Sequence, residues 1–211
     1  MYEDIMLQWL KKVILAPLAG CLLLAGCYIP DQYQGELRLS KSGAYALEYK
    51  GNLIWTSIYE KIKAGTLTPE EVTEKIAVLE RDLKRNTRYM KSVVHVGDSV
   101  FKVHYLKSAY LPKTKEDVFV RRNSRIFTIK LHQDNVVSIT SIKLNKKQIN
   151  QFAAKGINSS GRFRVVTDAD VLEHNASFVK DGADGYKIYD WDLKSVFSPA
   201  VKMFVRLSPP T

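Results

Sequence analysis

Alternation of apolar and polar residues runs through most of this chain. Leu37 and Leu39 alternate with Glu36 and Arg38 over residues 35–40, and Tyr45, Leu47 and Tyr49 alternate with Ala46, Glu48 and Lys50 at the start of residues 45–55. A period of two is that of a strand with one buried face, so these segments are predicted to pair as a hairpin through Ser42-Gly43. The same pattern predicts strands at 93–96 and 99–106, joined by a tight Gly97-Asp98 turn. Further strands are expected at 118–120, at 125–132, at 136–144 beyond Gln133-Asp134-Asn135, and at 162–166, 169–173, 186–193 and 201–207. Residues 110–117 read as a polar, lysine-containing loop.

Between the first strands and the rest, the period changes to that of a helix. Ile58 and Ile62 lie four apart in residues 56–64, which close at Gly65. Thr68-Pro69-Glu70-Glu71 is a stronger start signal: the threonine caps, proline suits the first helical position and Glu71 completes the capping box. Val72, Ile76, Leu79 and Leu83 then share one face, with acids in the first turn and Arg81, Lys84 and Arg85 in the last, as the helix dipole favours. A short helix is predicted over 146–154, ending at Gly156. The expected architecture over residues 35–211 is one α+β domain: an antiparallel β-sheet with a helical pair inserted after the first hairpin, packed on one face, and a short later helix. Residues 27–34, with Pro30, Gln32 and Gln34, read as a tether in front of it.

The first 26 residues follow neither period. Lys11 and Lys12 precede an uncharged run, Val13 to Gly26, interrupted by Pro17 and ending in Leu24-Ala25-Gly26-Cys27. That run is shorter than the roughly 20 apolar residues a bilayer-spanning helix needs. A basic region, an apolar core and small residues before a cut point make the layout of a secretory signal. With a cysteine at the cut, the segment resembles the lipobox of bacterial lipoproteins. The resemblance implies cleavage before Cys27 and acylation of its thiol and new amino group. Leu18-Ala19-Gly20-Cys21 has the same form, but it would leave an apolar core at the lower edge of the roughly 7–15 residues expected, so Cys27 is preferred. Glu3 and Asp4 offset the two lysines, and initiation at Met6 would restore a basic start. In such proteins Asp after the cysteine marks inner-membrane retention. Tyr28 at that position implies the periplasmic leaflet of the outer membrane if the host is Gram-negative.

Charge narrows the partners. The chain carries a formal net charge of +10, and the signal segment contributes none of it. Such an excess speaks to anionic partners, which in a bacterial envelope are lipid head groups, glycans or acidic protein faces; nucleic acid is not expected there. Three basic groups stand out. Arg81, Lys84, Arg85 and Arg88 follow one another at the end of the long helix, and Arg121, Arg122 and Arg125 form a second set beside Phe119 and Phe127. These two sets are the candidate anion-binding residues. Lys143, Lys146 and Lys147 make a third group.

Catalytic patterns are sparse. His95, His104, His132 and His174 show no metal-ligand spacing and have no cysteine partner beyond the anchor, so neither metal nor cofactor is expected. Residues 167–176 gather Asp168, Asp170, Glu173, His174 and Asn175, but lack the glycine and terminal glutamate of a calcium loop. They read as a turn in which Asp168 bonds its own backbone, followed by a strand. With no nucleophile elbow, P-loop or dinucleotide fingerprint, an enzyme is not expected. The carboxy-terminal third, Gly161-Arg162-Phe163 through Asn175-Ala176 and then Tyr189-Asp190-Trp191-Asp192-Leu193 and Pro199, resembles small β-rich lipoproteins of the mycobacterial LppM type. That likeness implies an envelope lipoprotein with a lipid-binding role. The alternative expectation is an accessory subunit docked on a larger envelope assembly.

Overall fold

The computed structural model describes residues 28–85, 88–121 and 124–208. They form an α+β fold in which strands predominate. In chain order the elements are β1 (Tyr28–Leu39), β2 (Ala44–Trp55), α1 (Thr56–Lys63), α2 (Pro69–Lys84), β3 (Met90–Gly97), β4 (Val100–Tyr110), α3 (Leu111–Thr114), β5 (Glu116–Arg121), β6 (Ser124–Leu131), β7 (Val136–Ser141), α4 (Lys146–Ala154), β8 (Gly161–Thr167), β9 (Asp170–His174), β10 (Phe178–Asp181), β11 (Lys187–Leu193) and β12 (Lys202–Arg206).

The single expected sheet is in fact two. The first has the order β10-β11-β8-β1-β2-β4-β3 and the second β5-β6-β7-β12-β9. All pairings are antiparallel except β1 with β8. Two sheets form because nearly every strand buries one face, and two half-buried sheets satisfy each other where one could not. The helical pair was placed correctly, and α2 keeps the capping box of Thr68 and Glu71. Ile76, Leu79 and Leu83 are buried in the main core. The helix packs along β3, the edge of the first sheet, and its Asp82 is ion-paired to Arg121 at the end of β5, the edge of the second. It therefore closes one open side of the sandwich. The extent of α4 matches the sequence reading.

The tether is overturned. Residues 28–34 are the first half of β1: Tyr28 pairs with Trp55 and Ile29 with Ile54, and Tyr28, Ile29 and Tyr33 are buried. Pro30 and the two glutamines suggested loop, but a bulge between Asp31 and Gln34, with Gln32 at φ 47°, absorbs the irregularity within the strand.

That bulge turns Tyr33 inward, where it starts a layer of rings between the sheets. Tyr33 stacks on Tyr49 at 5.4 Å and meets Phe127 at 5.9 Å; Phe127 stacks on Phe163 at 4.3 Å, and Phe163 leads to Trp191 at 6.0 Å. On the other side Tyr49, Phe119 and Tyr105 continue it at 4.6 and 4.7 Å. Space for it comes from glycines. A Cβ at Gly51 would collide with the Tyr33 backbone, one at Gly161 would fall within the Tyr33 ring, and one at Gly35 would lie 2.7 Å from Phe163 Cδ2.

Overpacking a filled core costs about 1–3 kcal/mol, so Gly161→Ala should lower unfolding stability by that order in chemical denaturation. The loss should shrink in a Tyr33→Leu background, because the clash is with the ring. Equal losses in both backgrounds would show that Gly161 is not there to seat Tyr33.

Candidate functional site

Two cores meet at the end of the sandwich where β1 begins. The main core fills the space between the sheets, and a smaller one is built from Ile29, Ile54, Phe152, Ile157 and Val196, with Ile142, Leu144 and Ile149 packed against it. The smaller cluster exists because α4 and the segment after β11 wrap around the end of the first sheet. A charge pair, Lys155 to Glu60 at 2.5 Å, ties α4 to α1 there.

Between the two cores lies a cavity of about 540 Å³. Its floor is Tyr33, Ile126 and Phe127, its walls are Pro30, Ile142, Leu144, Ile149, Val196 and Val201, and the exposed Phe197 stands at its edge. A volume of that size with mostly apolar walls and few polar groups suits a small-molecule or acyl-chain site. Two other hollows are of similar volume, but one lies on the outer face of the first sheet over Glu36, Arg38 and Arg164, and the other is a polar depression around Asp168 and Arg206. Core side chains reach both, Leu39 and Tyr45 in the first and Tyr189 and Leu207 in the second, but neither touches the smaller core.

Among the polar side chains that line the cavity, Asn175 makes three hydrogen bonds. Its Oδ1 accepts from the Trp191 indole at 2.8 Å and from the Lys202 N–H at 2.9 Å, while its Nδ2 donates to the Ala200 carbonyl at 2.8 Å. One amide thus fixes β9, β11 and the start of β12 around the opening. Asp31 does similar work opposite, accepting from the backbone and hydroxyl of Ser160 at 2.8 and 3.2 Å.

Two lysines, Lys143 and Lys202, line the cavity; Lys146 and Lys147 open α4 and Lys194 follows β11, close in the chain to lining residues but not themselves part of the lining. Lys202 is paired with Glu173 at 2.5 Å. Lys143, Lys146, Lys147 and Lys194 are exposed and make no ion pair among the described residues. Lys146 and Lys147 stand where the dipole of α4 opposes positive charge, at a cost of a few tenths of a kcal/mol up to about 1, and the helix relies on its Asn145–Gln148 capping box instead. Phe197, also in the lining, is 63% exposed.

Of the basic groups noted in the sequence, the third supplies Lys143 to the cavity lining, and none of the described candidate anion-binding residues joins it. Arg121 pairs with Asp82 and lies over the Tyr28 ring at 5.4 Å; Arg85 approaches the same Asp82 at 3.8 Å, so the first two groups do converge. They are largely engaged: Lys84 with Glu80 at 2.5 Å, Arg125 with Glu116 at 3.2 Å, and Arg88 over the Tyr89 ring at 5.4 Å. Arg81 is exposed, without an ion pair among the described residues. Arg122 and the two cysteines, Cys21 and Cys27, lie outside the described residues.

The histidines are separate. His95 faces the Asp98 carbonyl at 2.9 Å, His104 meets Glu48 at 2.8 Å, His132 meets the Ser138 hydroxyl at 2.8 Å, and His174 accepts from the Ala176 N–H at 3.2 Å. No group of three metal-ligating side chains occurs among the described residues. The turn after β8 differs in detail from expectation. Thr167, not Asp168, makes the local backbone bond, to Ala169 at 3.1 Å, and Asp168 reaches across to the Lys41 N–H at 2.7 Å.

Sequence reasoning missed a buried polar cluster. Asp117 accepts from Lys107 Nζ at 2.5 Å and from the Tyr45 hydroxyl at 2.6 Å. Burial and then the bond to Asp117 push the Tyr45 phenol well above its ordinary pKa. The three residues come from β2, β4 and β5, so no local spacing announces them. The ion pair joins the two sheets, β4 of the first to β5 of the second. Sequence reasoning did not single out Phe197 either; an aromatic between Ser195 and Ser198-Pro199 was the available signal.

No helix among the described residues is long and apolar enough to cross a membrane. No protein-family model matches the chain, and no curated protein matches it. Among solved structures, the folded domain of LppM from Mycobacterium tuberculosis, determined by NMR, is similar at a TM-score of 0.42 and 10% identity, over 90% of this chain and 96% of that one. A likeness at that level transfers no residue role.

Removing the Asn175 amide leaves the indole of Trp191, which is 2% exposed, without its acceptor. Asn175→Ala is expected to cost about 1–3 kcal/mol and to broaden the amide resonances of residues lining the cavity. Unchanged stability and spectra would remove Asn175 as the organiser of this wall.

Proposed function

We propose that this chain is a lipid-anchored lipoprotein of the bacterial envelope, non-enzymatic, whose domain holds an anionic lipid in the cavity between its two cores. The observation that carries the reading is a largely apolar cavity of about 540 Å³ lined by Lys143, which, like its chain neighbours Lys146 and Lys147 and like Lys194, makes no ion pair among the described residues. Apolar walls take acyl chain at about 0.8 kcal/mol per buried methylene, and the lysines take the head-group charge. A glycan would lack use for the apolar walls; a lipid uses both halves of the site. The lipobox-like Leu24-Ala25-Gly26-Cys27 places such a protein where lipid is at hand. The anchor is acyl chain on Cys27, palmitate being representative, and the location is the periplasmic leaflet of the outer membrane if the host is Gram-negative.

The alternative, an accessory subunit docked on a larger assembly, draws support from Leu172, Phe178 and Val179, which are exposed on the adjacent edge strands β9 and β10. Unpaired strand edges with apolar side chains suit pairing with another chain.

Two measurements on protein from the membrane fraction test the proposal. Intact mass should show acyl chains in the wild type and in Cys21→Ala, and lose them in Cys27→Ala. Ala200→Trp, which fills the cavity, should reduce binding of a fluorescent anionic phospholipid at least tenfold, about 1.4 kcal/mol, while leaving the acyl mass in place. Undiminished lipid binding would turn the reading toward the docked subunit.

A further inference from the structure

The chain outside the domain and the point where the domain starts bear on each other. If Cys27 carries the acyl chains, which is the reading proposed above, nothing flexible separates membrane from fold. Tyr28 is the terminal residue of β1, paired with Trp55; its N–H donates to Ser124 Oγ at 2.8 Å, and its side chain is fully buried. Pro30, a buried residue of the cavity lining, is three residues from the acylated cysteine. At about 3.3–3.6 Å per residue, Cys27 reaches no more than about 11 Å from Pro30.

The surface at that end is suited to what it would meet. Phe197, 63% exposed, shares the cavity lining with Lys143, and Lys143, Lys146, Lys147 and Lys194 are exposed without an ion pair among the described residues. An exposed aromatic with exposed lysines is the composition of a face that rests in a lipid interface, and acyl chain plus basic patch is the two-signal arrangement that makes peripheral attachment stable.

We infer that the domain docks flush on the anionic leaflet that holds its anchor, with Phe197 in the interface and the lysines on the head groups. The cavity thereby opens at the membrane surface and takes its lipid from that leaflet without release into water. A tethered domain could tumble and sample ligand from either side; a domain whose first folded residue follows the anchor cannot.

The test uses the acylated protein, its mass verified, in vesicles of phosphatidylcholine and phosphatidylglycerol in equal parts or of phosphatidylcholine alone. Phe197→Trp places an indole at an exposed position. Its emission should shift to the blue and be quenched by brominated acyl chains in the mixed vesicles, more weakly in neutral ones. In a Lys143→Glu, Lys146→Glu, Lys147→Glu background, quenching should fall while the anchor stays, since each lysine removed lowers the docking constant about fivefold. A flexible glycine-serine insertion between Cys27 and Tyr28 should lower it as well. Acylated protein whose introduced indole is not quenched in mixed vesicles overturns flush docking and leaves the lipoprotein reading standing. Protein without acyl chains overturns the lipoprotein reading, and flush docking with it.

Discussion

The structure turns on the seating of one side chain. Tyr33 can enter the core only because β1 bulges just before it and because Gly51 and Gly161, on the two neighbouring strands, present no Cβ to its backbone and ring. Once inside, the ring contacts Tyr49 of its own sheet and Phe127 of the other, so the bulge in one strand sets the register of the aromatic layer from Tyr105 to Trp191. The same ring is the floor of the cavity. Packing between sheets and the hollow at their end are therefore consequences of a single local distortion, and a substitution that fills the glycine slot acts on both.

Much of this was legible in the sequence because most of the information is local. Alternation marked eleven of the twelve strands approximately, and the capping box, the apolar stripe and the dipole-matched ends of α2 fixed that helix. What failed was non-local. Nothing in residues 28–34 advertises a strand, since Pro30 and the bulge break the alternation; only pairing with β2 and β8 makes it one. β10 was missed because all four of its residues are exposed, which leaves no period to read. The division into two sheets was equally hidden, as a period of two says that a face is buried but not against what.

The candidate site shows the same boundary. Arginine clusters are conspicuous in sequence, yet Asp82 and Glu116 draw in several of them to brace α2, β5 and β6. Lys143 is less conspicuous, and it matters for a reason that exists only in three dimensions: it lines an apolar hollow and makes no ion pair among the described residues. Asn175, singled out in a turn rich in acids, serves instead as a triple hydrogen-bond node that holds the wall of that hollow. The residues that point to function are those whose pairing or burial the fold leaves incomplete.

The lipid-holding cavity is tested most directly by native mass spectrometry of the protein extracted gently from the membrane in which it was made. The expected spectrum carries a non-covalent adduct of phospholipid mass on top of the acylated chain, absent from the Ala200→Trp variant. Acylated protein without such an adduct, before and after incubation with phosphatidylglycerol, would contradict it.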